Sequence, residues 1–133
     1  MTKRFFVVLA VAGVMAVVTP LFVTVQAAEV RCQIPFSFTV NGTTMPAGTY
    51  NLSTNDTALF IRGMSHGTVT LSNRMESRTA TNAKLVFEKR GDTYTLREVW
   101  MGEGTGREVP PTRTEKDKRL ALGPAERVVI FAM

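Results

Sequence analysis

The sequence predicts an all-β, mainly antiparallel fold, a small β-sandwich or barrel of about six to eight strands with one short helix in its C-terminal half. Three observations carry this. Apolar and polar residues alternate without interruption from Val30 to Val40, turn-forming residues recur throughout the chain, and a single segment carries helix-start and helix-stop signals. An N-terminal signal-peptide helix is expected to precede the domain.

That leader is read from the order of its parts. Lys3 and Arg4 form a positive head, Phe5 to Val18 an apolar run, Pro20 breaks it, and Val25, Gln26 and Ala27 lead up to the cleavage point. Residues 1–27 are therefore assigned to the signal peptide and 28–133 to a single β domain, of a size close to the commonest for domains. The alternative is a retained anchor, since Phe5 to Val25 is nearly long enough to span a bilayer; Pro20 argues for cleavage. Cys32 follows Glu29, Val30 and Arg31, not the small residues that lipid attachment requires. As the lone cysteine it has no intrachain partner, and its place in the alternation predicts a buried thiol.

In the mature chain, Val30, Cys32, Ile34, Phe36, Phe38 and Val40 share one face of a strand, with Pro35 demanding an edge or a bulge. Asn41-Gly42 closes a hairpin, and Met45-Pro46-Ala47-Gly48 forms a second turn. Tyr50 to Ser53 resumes alternation, Asn55-Asp56 turns, and Thr57 to Arg62 forms a strand with Leu59 and Ile61 on one side and Phe60 on the other. Thr68 to Ser72 is expected to bury Val69 and Leu71 between its hydroxyl residues. Asn73 to Ala83, polar and aperiodic, reads as the longest loop. Lys84 to Lys89 and Thr93 to Met101 form a hairpin through Arg90-Gly91-Asp92, and Gly102 to Gly106 is a glycine-rich turn. The helix begins at Thr112 with Glu115 completing a capping box and ends at Gly123-Pro124; its sparse apolar residues, Leu120 and Leu122, make it a lid or strut. Val128 to Met133 reads as a last strand buried in the sheet.

Composition excludes more than it assigns. Of sixteen basic residues, Lys3 and Arg4 belong to the leader, leaving fourteen against eleven acidic, a charge of about +3 without the clustering of a nucleic-acid footprint. With one histidine and one cysteine, no His/Cys metal site is expected, nor any cofactor. His66 reads as an exposed turn residue, and no catalytic residue is assigned. Glu98 shares the core-facing parity of Tyr94, Leu96 and Trp100, so it either points inward, beside Trp100, as a ligand contact, or a bulge near Arg97 returns both charges to solvent, or the strand is a two-sided edge. Phe36, Phe38, Tyr94 and Trp100 are the candidate lining of an apolar-ligand cavity. Arg113, Lys116, Lys118 and Arg119 form a candidate surface patch, interspersed with Glu115 and Asp117 as on a solvated helix face. Arg90-Gly91-Asp92 matches an adhesion tripeptide that turn chemistry alone also produces.

The segments Ile34-Pro35-Phe36-Ser37-Phe38-Thr39-Val40-Asn41-Gly42 and Met45-Pro46-Ala47-Gly48-Thr49-Tyr50, followed by Lys84-Leu85-Val86-Phe87, Glu98-Val99-Trp100 and Gly106-Arg107-Glu108-Val109-Pro110, resemble a family of small exported bacterial β-domain proteins of unknown function. The resemblance covers most of the mature chain. It implies export and a compact β domain, and it assigns no catalytic residue.

The expected function is that of an exported, non-enzymatic envelope or extracellular module, periplasmic or secreted, with a binding or structural role. Its expected partners are an envelope protein, a polysaccharide or an apolar small molecule, with no nucleic acid and no membrane contact beyond an uncleaved leader. One alternative is a carrier of a small apolar ligand in a barrel cavity. A fimbrial-type subunit donating the Val30 to Val40 strand is another, against which the immediate Asn41-Gly42 turn argues.

Overall fold

The structure, a computed structural model, describes residues 29–79 and 82–133; the expected leader lies outside them. Among the described residues eleven strands form two sheets. The four-stranded sheet runs β1 (Glu29–Ile34), β4 (Gly48–Asn55), β5 (Ala58–Arg62) and β6 (Gly67–Leu71), antiparallel throughout. The seven-stranded sheet runs β11 (Glu126–Phe131), β8 (Lys84–Arg90), β9 (Thr93–Gly102), β10 (Thr105–Glu108) and β7 (Asn73–Glu76). The hairpin of β2 (Phe38–Val40) and β3 (Thr43–Met45) joins it through a parallel bridge between Thr39 and Thr95. The helix, α1 (Arg113–Leu122), lies between β10 and β11 in the chain.

Both inner faces share one core, which makes the fold an all-β sandwich. Val30, Cys32, Ile34, Leu52, Leu59 and Ile61 come from the first sheet, and Phe38, Val40, Leu85, Phe87, Leu96 and Val99 from the second. Each large side chain so buried contributes about 1.5–3 kcal/mol. Cys32 is wholly enclosed, and burial pushes its thiol up to about 11, so it serves as a small apolar group.

The Asn41-Gly42 hairpin forms as expected, with φ of 47° and 83°, the two positive values that a two-residue turn matching strand twist requires. The strand count exceeds the expected range because β2, β3, β7 and β10 are pieces of only three or four residues.

Four expectations are corrected. Val30 to Val40 is two strands: pairing with β4 stops at Ile34, and the chain changes sheets through Pro35, Phe36 and Ser37 before β2 begins. Asn73 to Glu76 is strand β7, not loop; its polar side chains concealed a strand paired with β10 through the backbone. β11 is an edge strand, half-buried through Val128 to Ile130, with Phe131 and Met133 exposed.

The fourth correction inverts a face. Thr70 and Ser72 are buried, while Val69 and Leu71 are 57% and 69% exposed. Residues directly opposite on paired strands share a face, so Thr70 beside Leu59 points inward, whereas Val69 beside Phe60 and Leu71 beside Ala58 point outward.

Candidate functional site

The site grows from one irregularity in β9. Val86 is opposite Glu98 and Phe87 is opposite Leu96, so Arg97 is the extra residue of a bulge. Beyond it the parity of β9 reverses. Leu96 and Val99 both face the core, and the Glu98 and Trp100 side chains emerge on the outer face of the seven-stranded sheet.

The inward placement weighed for Glu98 is therefore corrected, and so is that expected for Trp100. The two do meet: Trp100 Nε1 donates to Glu98 Oε1 at 2.8 Å, and Arg127 approaches the other carboxylate oxygen at 3.4 Å. Trp100 packs with Val86, Met75 and Val129 and lies flat on Gly106, where a Cβ would stand 2.7 Å from its ring. Only glycine admits the indole there.

Phe36, Phe38 and Tyr94 stay on the inner side of the sheet. Phe36 stacks on Tyr94 with centroids 3.7 Å apart and meets Phe87 edge-on at 5.0 Å. Phe38 meets Tyr50 and Phe87 edge-on, so these rings pack on one another while Trp100 lies across the sheet from them. The structure does not gather the four aromatics into one lining.

The bulge returns only one charge toward solvent. Arg97, 6% exposed, is held beneath α1. One guanidinium nitrogen pairs with Glu115 of α1, another donates to the Val109 carbonyl at 3.3 Å, and Nε lies 3.3 Å from Glu88 Oε2 without the alignment of a hydrogen bond. Glu88 pairs in turn with Arg119 of α1, and Arg90 donates to the Gly123 carbonyl at 2.6 Å at the helix end. Partial burial acts to raise the Glu88 carboxyl, but the Arg119 hydrogen bond and the Arg97 and Arg119 charges outweigh it and hold it below its ordinary value.

The helix forms as its sequence dictates. Glu115 N–H donates to Thr112 Oγ1, and Thr112 N–H donates to Glu115, completing the capping box. Glu115 thus serves both its own helix and Arg97. No residue of α1 is buried; Leu120 is 88% exposed. Polar contacts hold the helix over the sheet, and a cleft of about 300 Å³ remains between them.

Glu88 and Arg90 of β8 and Thr93, Thr95 and Arg97 of β9 floor this cleft, and Glu115, Lys118 and Leu122 overhang it. A second cleft of about 190 Å³ lies across the Arg97–Glu88 pair, bordered by Glu98, Glu108, Arg119 and Arg127. Of the basic patch, Lys118 overhangs the first cleft, Arg119 borders the second, and Arg113 and Lys116 are exposed on the helix. Sequence reasoning noticed Arg97 only as a bulge position and assigned Glu88, Thr93 and Thr95 no role. Their partners lie too far along the chain for local pattern to show them.

The adhesion-like tripeptide occupies the β8–β9 turn, with Gly91 at a φ of 56° and Arg90 engaged by the helix end. His66 is exposed, its Nδ1 2.9 Å from Ser65 Oγ. Among the described residues no three His, Cys, Asp or Glu side chains are grouped to hold a metal ion. Comparison with known proteins found no match, whether with a family model, a curated protein or a solved structure.

Proposed function

We propose that the chain is an exported, non-enzymatic β module that works by binding, with the cleft beneath α1 as its ligand site. The observation that carries this reading is a helix with no buried residue, held above a sheet by ion pairs around an enclosed arginine. A helix present only to cover the sheet would bury an apolar stripe; this one leaves a cleft instead.

The lining selects the ligand. Glu88 and Glu115 are balanced by Arg97 and Arg119, so the charge left to meet a ligand is that of Arg90 and Lys118 at the margin. Lys118 has no ion-pair partner among the described residues. Leu122 and the threonine methyl groups supply an apolar wall. A small molecule with one anionic group and a short apolar body matches this combination. Export is the setting of this reading, supported by the Lys3-Arg4 head, the apolar run and the Ala27 site of the sequence.

Titrating the labelled mature domain with octanoate, followed by amide chemical shifts, tests the site. Shifts clustered at Thr93, Thr95 and Lys118 are expected, with Lys118→Glu weakening binding about tenfold, the equivalent of roughly 1.4 kcal/mol. Shifts elsewhere, or none with both octanoate and octyl sulfate, remove the cleft as ligand site. Export is tested separately, by N-terminal sequencing of protein recovered from its host, which should begin at Ala28.

A further inference from the structure

Strand β6 ends the four-stranded sheet, pairs with β5 along one edge and carries no strand on the other among the described residues. Edge strands are normally guarded against association by charge, proline or a bulge. β6 reads Gly-Thr-Val-Thr-Leu, has no charged residue or proline, and follows β5 in unbroken register. The apolar side chains of this unguarded edge, Val69 and Leu71, face outward, and Phe60 on β5 continues the row behind Val69.

We propose that β6 pairs antiparallel with β6 of a second copy of this chain, about a twofold axis through Val69, joining two four-stranded sheets into one of eight strands. The strand is self-complementary about that axis. Val69 meets Val69 of the partner subunit, Thr68 meets Thr70 of the partner subunit, and Gly67 leaves room for Leu71 of the partner subunit. Threonine pairs and β-branched pairs are favourable directly across strands. Phe60 and Val69 of each copy line up as one apolar row across the axis, so each copy shields part of the other's exposed surface.

The self-complementary order of β6 selects a second copy as the occupant, and its lack of charge permits that copy to approach. A twofold contact brings each residue near its own counterpart, so a charged edge would repel itself. A strand with no charge lacks that guard. The contact is one short strand with its flanking side chains, small beside a standard interface, and the dimer is accordingly weak and reversible.

Sedimentation of the mature domain over a wide concentration range should show a monomer–dimer equilibrium. Val69→Lys sets two ammonium groups against each other at the axis and should weaken the dimer about tenfold or more. Val69→Glu should do the same, and mixing the two variants should restore association. Val69 is already exposed, so both variants should retain the wild-type circular dichroism. A wild type that stays monomeric at about 1 mM, a dimer indifferent to Val69→Lys, or a mixture that fails to associate overturns the proposal.

Discussion

The two sheets share a core but differ in what lies over their outer faces. On the seven-stranded sheet, Arg97 is 6% exposed, enclosed by a helix and two carboxylates, and Trp100 is 7% exposed among side chains of its own face. On the four-stranded sheet, Val69 and Leu71 stand open to solvent on a strand that buries threonine. A cation is hidden on one face and a leucine shown on the other. Burial outside the core is thus decided by which elements cross a face, and residue type follows only where packing requires it.

That contrast can be broken from the covered side first. Arg97→Ala leaves Glu88 and Glu115 facing each other without their shared cation, and should cost about 3 kcal/mol in urea denaturation. A loss within 0.5 kcal/mol, the size of an ordinary surface change, would mean that the network does not hold the face together.

Gly106→Ala should cost about 2 kcal/mol, because its Cβ meets the Trp100 ring at 2.7 Å and the Val99 carbonyl oxygen at 3.0 Å. The accompanying change in tryptophan fluorescence would place the disturbance on the outer face. Thr112→Ala removes the cap and should cost about 1 kcal/mol, with loss of helical circular dichroism and the sheet signal retained.

The smallest effect is pH-dependent. Arg119→Ala should cost about 0.5 kcal/mol at neutral pH, since the arginine is substantially exposed. The Glu88 carboxyl lies below its ordinary 4.5 in the folded protein, so this stabilisation is present above that value and lost as pH falls through the folded pKa. Denaturation of wild type and variant at pH 7 and near pH 3 should show the gap closing in acid. A gap unchanged by acid would sever the link to Glu88.

Local chemistry was the part of the fold legible in the sequence. The Asn41-Gly42 turn, the Thr112–Glu115 capping box and the hairpin around Gly91 depend on neighbours a few residues apart, and all three formed. Alternation separated the two faces of β6, but it cannot say which face meets a core; the register with β5 decided that, placing Thr70 beside Leu59. β7 escaped notice because its backbone pairing with β10 carries little side-chain pattern. The candidate cleft was half visible: Lys118 and Arg119 were singled out on the helix, but their setting depends on Glu88 and Arg97, which only tertiary structure brings beneath them.

The helix without a buried residue bears on the order of events in folding and fluctuation. Ten residues are too few for a helix to persist alone in water, so α1 depends on its cap and on side chains that exist in place only once β8 and β9 have paired. It should assemble late and open early. Its amides should exchange with solvent through local openings that leave the strands protected, making the cover of the cleft a unit of stability separate from the sandwich beneath it.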